Sequence, residues 1–258
     1  MLTSAQNAKI KRIRRLQDQS KARKKEEAFV IEGVRLVEEA FRCGWKPEMV
    51  LFTSDLDERG LQVVDQFRAQ GAKVIQTYPE VMQAASDTET PQGLLAVLPL
   101  RGQPQPQKLE FVLIPDAVRD PGNLGTLLRT ALAASVDLVL LPPGTVDPHS
   151  PKVVRAAMGA HFRLPILKAS WQEINEKIKP LHVFVAEAEK GLPHTEADLR
   201  HPLALVIGNE AHGPGPQAQQ LADDWLHIPM PGEAESLNAA IAGSILMFEV
   251  VRQRKDIE

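Results

Sequence analysis

The feature that most constrains the fold is a regular alternation of short apolar runs with stretches of helical periodicity. This alternation predicts an α/β fold, and runs that are apolar throughout, such as LALVIG, indicate a parallel sheet covered on both faces. The predicted strands are Phe29–Ile31, Met49–Phe52, Ala72–Gln76, Leu94–Leu98, Phe111–Ile114, Leu138–Leu141, His182–Ala186, Ala204–Ile207 and Trp225–Ile228. The predicted helices are Val34–Arg42, Glu58–Gln70, Pro79–Ala85, Leu124–Ala134, Lys152–Met158, Trp171–Ile178, Gln217–Leu221 and Leu237–Arg254.

A linker divides the chain at residues 101–107. The sequence there, RGQPQPQ, holds no apolar residue and contains two Pro-Gln steps. Polar chain spaced by proline is extended and does not pack into a core. We therefore predict one domain over residues 1–100, a linker over 101–107, and a second domain over 108–258.

Composition excludes several classes of protein. Apolar residues make up 43% and charged residues 24% of the chain, which is typical of a globular protein. The single cysteine, Cys43, excludes an internal disulfide framework and a multi-cysteine zinc site. We find no apolar run of the ~18 residues that a membrane span needs and no secretory signal. We therefore expect a cytoplasmic protein without a metal. Aromatic residues, at 5%, are too few for an RNA-recognition sheet of stacked rings.

The net charge of −3 conceals a basic N-terminus. Residues 1–25, here called the basic arm, carry nine Lys and Arg side chains and one acid, whereas the remaining chain carries 21 basic and 32 acidic residues. Ile10, Ile13 and Leu16 recur every three residues and predict a docked amphipathic helix. The charge favours contact with a polyanion, and a solvated helix face explains it about equally well. The candidates for phosphate contacts with such a polyanion are Lys9, Lys11, Arg12, Arg14, Arg15, Arg23 and Lys24.

Common cofactor and hydrolase signatures are missing from the sequence. We find no G-x-G-x-x-G turn after a strand and no phosphate-binding G-x-x-x-x-G-K-[ST] loop. H-E-x-x-H and G-x-S-x-G are also absent. These absences argue against an ordinary Rossmann enzyme, nucleotide hydrolysis, zinc chemistry and serine hydrolysis.

The first of three polar clusters at predicted strand ends is DPGNLGTLLRTALAA, residues 120–134. Its Pro-Gly step ends the preceding strand, and Asn123 is the predicted N-cap of the helix that follows. Taken singly, Asn123 is a helix cap and Arg129 a surface side chain.

The second cluster, LVIGNEAHGPG, spans residues 205–215. A buried strand runs directly into Gly208, and glycine at a strand end lets a ligand approach the backbone closely. Glu210 follows, although an acid in the first turn of a helix is also favoured by the helix dipole.

The third cluster begins at IPMPG and continues through SLNAAIAG, within residues 228–254. Ser236 is the predicted cap of a long helix, and small residues on that helix predict very close packing against another element. Three such loops at successive strand ends predict one shared crevice, and therefore an α/β enzyme with a ligand site in its second domain.

In this order and spacing, the three clusters resemble the SpoU (TrmH-like) family of the SPOUT superfamily, which are RNA ribose 2′-O-methyltransferases. The resemblance covers essentially the whole chain, because the N-terminal part is similar to that family's small, ribosomal-protein-like RNA-binding domain. It implies a deep trefoil knot in the second domain, S-adenosylmethionine (AdoMet) as cofactor, and a homodimer packed through the knot region. The implied AdoMet contacts are Gly208, Ile228, Met230 and Leu237. The implied catalytic residues are Asn123, Arg129, Glu210, Ser236 and Asn238.

Arg129 has two possible roles at the centre of the methyl transfer. As general base it would have to give up a proton, which costs a guanidinium of pKa above ~12 several kcal/mol near neutral pH. We therefore favour Arg129 as a clamp that binds a phosphate and orients the 2′-hydroxyl, while water or a phosphate oxygen accepts the proton.

The substrate stays open between RNA classes at this point. The N-terminal binding domain favours ribosomal RNA, most specifically 23S rRNA, and transfer RNA is the alternative, as is a role in antibiotic resistance. A non-catalytic ribosome-assembly factor and a base methyltransferase are the two further alternatives.

Overall fold

The computed structural model describes residues 1–209 and 212–255. The chain divides into two compact units. Unit 1 consists of Met1–Arg101 and Asp147–Phe162, and unit 2 of Gly102–Val146 and Arg163–Glu258. Within the part of the chain that the structure describes, no helix has both the length and the apolarity to span a bilayer.

The elements up to the linker form unit 1 together with two short helices of the later segment Asp147–Phe162. In chain order they are α1 (Ala8–Asp18), α2 (Ser20–Glu26), β1 (Ala28–Glu32), α3 (Val34–Arg42), β2 (Met49–Thr53), α4 (Glu58–Ala69), β3 (Val74–Thr77), α5 (Pro79–Ala85) and β4 (Leu94–Pro99). The sheet has the order β1-β4-β2-β3, with β4 antiparallel to both neighbours and β3 parallel to β2.

The elements after the linker follow the predicted α/β alternation. They are β5 (Phe111–Pro115), α6 (Pro121–Ala133), β6 (Leu138–Leu141), α7 (Pro151–Ala156), a 3-10 helix (Ala160–Phe162), β7 (Ile166–Lys168), α8 (Trp171–Ile178), β8 (His182–Ala186), β9 (Leu192–Pro193), β10 (Leu203–Ile207), α9 (Pro216–Leu221), β11 (Asp224–His227) and α10 (Ala239–Lys255). Strands β7 and β9 were not predicted, because three and two residues are too short to show a period.

Helix α1 is the docked amphipathic helix that the basic arm predicted. Ile10, Ile13 and Leu16 are fully buried against one face of the unit 1 sheet. The side chain of Asn7 accepts a hydrogen bond from the Lys9 amide and so caps the helix. The prediction of a docked helix is confirmed.

Residues 147–162 depart from the predicted domain boundaries. The sequence placed them in the second domain, whereas the structure packs Asp147–Phe162 into unit 1. Val154 and Phe162 are buried in the same core as Phe29, and the indole of Trp45 donates a hydrogen bond to the Phe162 carbonyl. These apolar side chains are buried on the first sheet, which explains why the segment leaves the unit of its neighbours in sequence.

The sheet of unit 2 has seven strands in the order β7-β6-β5-β10-β8-β11-β9, and every described pairing is parallel. All residues of β5, β6 and β10 are buried. The predicted α/β class with a parallel sheet covered on both faces is therefore confirmed.

The register brings several strand ends to one edge of this sheet. Ile207, the last residue of β10, pairs with Pro115 of β5 and with Ala186 of β8, and Ala186 pairs with Leu226 of β11. Whatever follows these strands therefore lies at a common carboxyl edge, which is where ligands bind in open α/β sheets.

Helix α10 packs closely enough to require a small residue. A Cβ on Gly243 would lie 2.5 Å from Leu127 Cδ2 and 3.3 Å from Ile207 Cγ1. The close packing predicted for this helix is confirmed, and its partners are α6 and β10. The trefoil knot stays a prediction.

Candidate active site

A cavity of about 510 Å³ opens at the carboxyl edge of the unit 2 sheet. Ile207, Leu226 and Leu246 form apolar parts of its wall, and Glu187 and Asn209 bring polar groups. Its volume lies within the ~300–1,000 Å³ of small-molecule sites, which combine an apolar wall with a few polar groups.

All four residues that the resemblance assigned to AdoMet line this cavity. They are Gly208, Ile228, Met230 and Leu237. Ser236, assigned to catalysis, lines it too. The second and third motifs thus meet at one site, while the contacts of each residue with a ligand stay predictions.

Gly208 is required for a reason that the sequence did not show. A Cβ on Gly208 would lie 2.4 Å from both the Gly213 carbonyl carbon and the Pro214 nitrogen. The loop after β10 folds back over this residue, so glycine is needed for the close approach of the chain to itself.

The described residues 208–209 and 212–215 after β10, here called the cofactor loop, are fixed at two places. Asn209 and Gly213 exchange backbone hydrogen bonds of 3.1 and 2.9 Å, and the Asn209 side chain donates to the Ala117 carbonyl at 2.9 Å. The Gly215 amide donates to Asp116 Oδ2 at 2.6 Å. Burial raises the pKa of the Asp116 carboxyl, and this effect exceeds that of the hydrogen bond from Gly215, which lowers the pKa.

The first turn of α10 is capped by Asn238 and not by Ser236 as predicted. Asn238 Oδ1 accepts hydrogen bonds from the amides of Ala240 and Ile241 at 2.9 and 3.2 Å. The helix therefore begins two residues later than the predicted start. The Asn238 amide donates to Asn123 Oδ1 at 2.9 Å, which joins the third motif to the first.

The first turn of α6 is capped by Asp120 and not by Asn123 as predicted. Asp120 Oδ1 accepts a hydrogen bond from the Asn123 amide at 2.8 Å, and Pro121 takes the first helical position. Asn123 is therefore left to contact Asn238. Arg129 is exposed on the same helix and is not among the described residues that line the cavity. Glu210 lies outside the described residues.

Three polar residues at the site were missed in the sequence. Asp116, Glu187 and Asn209 each stand one or two positions after a predicted strand of the parallel sheet. Their signal was position alone, because polar side chains just beyond parallel strands meet at one edge.

Two arginines of the basic arm are held by acids. Arg12 forms ion pairs with Glu26 and Glu48, both at 2.7 Å, and Arg15 pairs with Glu26 at 2.5 Å. Lys9 is half-buried, while Lys11, Arg14 and Lys24 are exposed.

Arg23 corrects the prediction that it contacts RNA. It is 3% exposed, donates to the carbonyls of Leu16 and Gln17, and pairs with Asp147 at 2.7 Å. All these partners lie within unit 1, so Arg23 holds the core together and does not face a ligand.

A metal centre has no candidate among the residues that the structure describes: no group of three or more His, Cys, Asp or Glu side chains is placed to hold an ion. AdoMet fits the cavity better, because the apolar wall suits an adenine ring and the methylene groups beside a sulfonium centre. Glu187 adds a carboxylate that complements a cationic ligand.

Comparison with protein families gives two matches that together span most of the chain. Residues 110–248 match the SpoU rRNA Methylase family, and residues 7–96 match the MRM3-like substrate binding domain.

Individual relatives match along nearly the whole length. The 23S rRNA (guanosine(2553)-2′-O)-methyltransferase RlmP of Bacillus subtilis is 34% identical, over 96% of this chain and 98% of that protein. The mitochondrial rRNA methyltransferase 3A of Danio rerio is 36% identical over 90% of this chain, which spans 65% of that longer protein. The crystal structure of an AdoMet-bound rRNA methyltransferase from Sinorhizobium meliloti matches with a TM-score of 0.85 at 33% identity, covering 97% of each chain.

Proposed function

Since this chain belongs to the SpoU rRNA methylase family and is an AdoMet-dependent rRNA 2′-O-methyltransferase, we propose that its substrate is 23S rRNA. The proposal is carried by one observation: the second and third motifs line a single cavity, and a hydrogen bond joins the third motif to the first. Gly208 and Leu237 line it, and Asn238 links it to Asn123 of the first motif. The near-complete match with a 23S rRNA enzyme supports this RNA class over tRNA.

AdoMet, when bound, supplies an electrophilic methyl group, so the chain has to place a ribose hydroxyl in line with it and lead one proton away. Ser236 lies in the cavity wall, and Asn238, which follows the lining residue Leu237, donates a hydrogen bond to Asn123. We assign these residues and Glu210 to holding the ribose and Arg129.

Arg129 acts on the RNA in this proposal. Its exposure on α6 leaves the guanidinium accessible to a substrate that arrives from solvent. A guanidinium binds a phosphate through two parallel hydrogen bonds, which fixes the orientation of the neighbouring ribose. Water or a phosphate oxygen then takes the hydroxyl proton.

The basic arm supplies the sequence-independent part of RNA binding. Lys11, Arg14 and Lys24 are exposed, and we assign phosphate contacts to them first. Lys9, Arg12 and Arg15 contribute less, because they are half-buried or already paired with acids.

A homodimer is the proposed assembly. Ile241, Ile245 and Phe248 recur at spacings of four and three residues along α10 and are 50%, 37% and 49% exposed. An exposed apolar stripe on a helix is typical of an interface. Substituting Phe248 with Glu should convert a dimer into a monomer in light scattering, and unchanged mass would contradict this interface.

The test uses labelled AdoMet with 23S rRNA and tRNA from cells that lack the protein. We expect label in 23S rRNA as alkali-resistant dinucleotides, because a 2′-O-methyl group blocks cleavage of the linkage, and no label with Arg129→Ala. Alkali-sensitive label would indicate a base methyltransferase, and label in tRNA alone would overturn the 23S assignment. AdoMet binding without transfer to either RNA would favour a non-catalytic assembly factor or a precursor particle as substrate.

A further inference from the structure

We propose that Asp116 is a positioning residue for AdoMet binding, because its buried carboxylate fixes the cofactor loop that forms one wall of the cavity. This inference rests on the AdoMet site proposed above. Asp116 itself is not among the described residues lining the cavity, so it acts through the loop.

The Asp116 carboxylate is buried without a neighbouring cation among the described residues. Asp116 is 4% exposed, and among the residues described no Lys or Arg forms an ion pair with it. Its described side-chain partner is the Gly215 amide at 2.6 Å. A buried carboxylate without a cation is a poor way to stabilise a fold, which suggests that it serves the one contact it makes.

Asp116 and its neighbour Ala117 each hold one end of the cofactor loop. Asp116 accepts from Gly215, and the carbonyl of Ala117 accepts from the Asn209 side chain at 2.9 Å. Ala117 has a φ of 51°, in the left-handed region that a non-glycine residue rarely adopts. A strained turn after β5 thus presents two acceptors to the loop.

The loop held in this way forms part of the cavity wall. Asn209, which is one anchor point, and Gly213, which lies between the two, both line the cavity. Without the carboxylate, the Gly215 amide loses its acceptor and one end of the loop is released. The loop then has to be ordered when AdoMet binds, which weakens binding.

Strand β5 offers a matched control at its other end. Asp137 Oδ2 accepts hydrogen bonds from the amides of Glu110 and Phe111 at 2.7 and 2.9 Å, where β5 begins. Asp137 belongs to the same unit and makes the same kind of contact, but neither it nor its two partners line the cavity. Asp137→Asn therefore measures what a lost carboxylate does to the fold alone.

The experiment compares Asp116→Asn, Asp116→Ala and Asp137→Asn in the full chain. Without AdoMet, we expect faster hydrogen exchange in peptides covering residues 205–215 for both Asp116 variants and no change there for the control. By calorimetry, we expect the Kd for AdoMet to rise about tenfold or more in Asp116→Ala. Asp116→Asn should show a smaller rise, because its amide oxygen still accepts a hydrogen bond.

The outcomes separate positioning from general stability. If Asp116→Asn and Asp137→Asn change exchange and Kd equally, the inference is wrong and the carboxylate is structural. Should Asp116→Ala fail to fold, Asp116→Asn carries the test, because it weakens the same contact with the Gly215 amide. Failure of the unsubstituted protein to bind AdoMet would overturn the proposed site and this inference together, whereas normal binding with indifferent Asp116 variants overturns only the inference.

Discussion

The basic arm of unit 1 and the carboxyl edge of unit 2 contrast in how far residue type reveals role. In the arm, charge identified seven candidate cations, and the contacts show that Arg23 is buried while Arg12 and Arg15 are paired. At the edge, motif spacing identified residues of which Gly208 and Leu237 line one cavity. Composition shows only that cations are present. In a parallel sheet, by contrast, the residues that follow each strand must meet at one edge of the sheet.

The largest expected effect is a difference in stability between two arginines of the basic arm, the buried Arg23 and the exposed Arg14. Arg23→Met should lower the free energy of unfolding by about 3–5 kcal/mol, because it removes a buried guanidinium that pairs with the partly buried Asp147 and donates to the carbonyls of Leu16 and Gln17. Urea unfolding measures this change. Exposed Arg14→Met, the matched control, should stay within about 0.5 kcal/mol of the unsubstituted protein, and equal losses in both variants would contradict the structural role of Arg23.

Arg129 is the arginine of unit 2 that contrasts with Arg23, because it is exposed on α6 whereas Arg23 is buried. Arg129→Ala should lower kcat by about 100-fold or more, as loss of an orienting charged donor does, and leave the Kd for AdoMet within about twofold. Arg129→Lys keeps the charge but not the planar fork, so it should recover only part of the rate. A parallel rise in the Kd for AdoMet would place Arg129 at the cofactor instead.

Two buried groups, one in each unit, should contribute to acid sensitivity with opposite signs. Burial lowers the pKa of His161 in unit 1 to about 4, so between pH 6.5 and about 4 the unfolded chain binds a proton that the folded unit does not. The contribution of His161 to stability therefore falls as pH falls, by up to about 1.4 kcal/mol per pH unit. The raised pKa of Asp116 acts the other way, because its buried charge is removed at low pH.

Urea titrations at pH 7 and pH 5 test this difference. His161→Phe should flatten the loss of stability on acidification, since the side chain no longer titrates. An unchanged pH slope in this variant would show that another group causes the acid sensitivity.

The sequence predicted most elements because period and residue type are local properties. The strands Leu138–Leu141 and His182–Ala186 have the predicted bounds, and so does the helix Trp171–Ile178. What it could not predict depends on contacts between distant residues. Arg23 meets Asp147 across 124 positions, and no pattern in the basic arm indicates that partner.

The candidate site shows the same limit at finer scale. Its motifs located the cavity, but both predicted helix caps were wrong, because Asp120 and Asn238 compete with Asn123 and Ser236 for the same helix ends. Asp, Asn and Ser all suit an N-cap, so only the observed amide partners decide between these four residues. Asp116 was missed because nothing local distinguishes it from an ordinary residue after a strand.

The caps supply a smaller test at this edge. Asn238→Ala should cost about 1 kcal/mol in unfolding free energy, because it removes the acceptor for two amides of α10. Ser236→Ala should leave stability nearly unchanged and lower the methylation rate. Equal destabilisation by both substitutions would restore Ser236 as a structural residue.

The smallest expected effects are in the salt dependence of RNA binding, and they compare an exposed with a paired arginine of the basic arm. Each phosphate contact removed should reduce the slope of log affinity against log salt concentration by about 0.7–0.9. Arg14→Gln should show that reduction, whereas Arg12→Gln should show less, because Arg12 is already paired with Glu26 and Glu48. Binding to an rRNA fragment at several salt concentrations measures both slopes. Equal slopes in the two variants would mean that RNA displaces the acids from Arg12, and then the charge of the arm alone, without its contacts, would suffice to predict its RNA-binding residues.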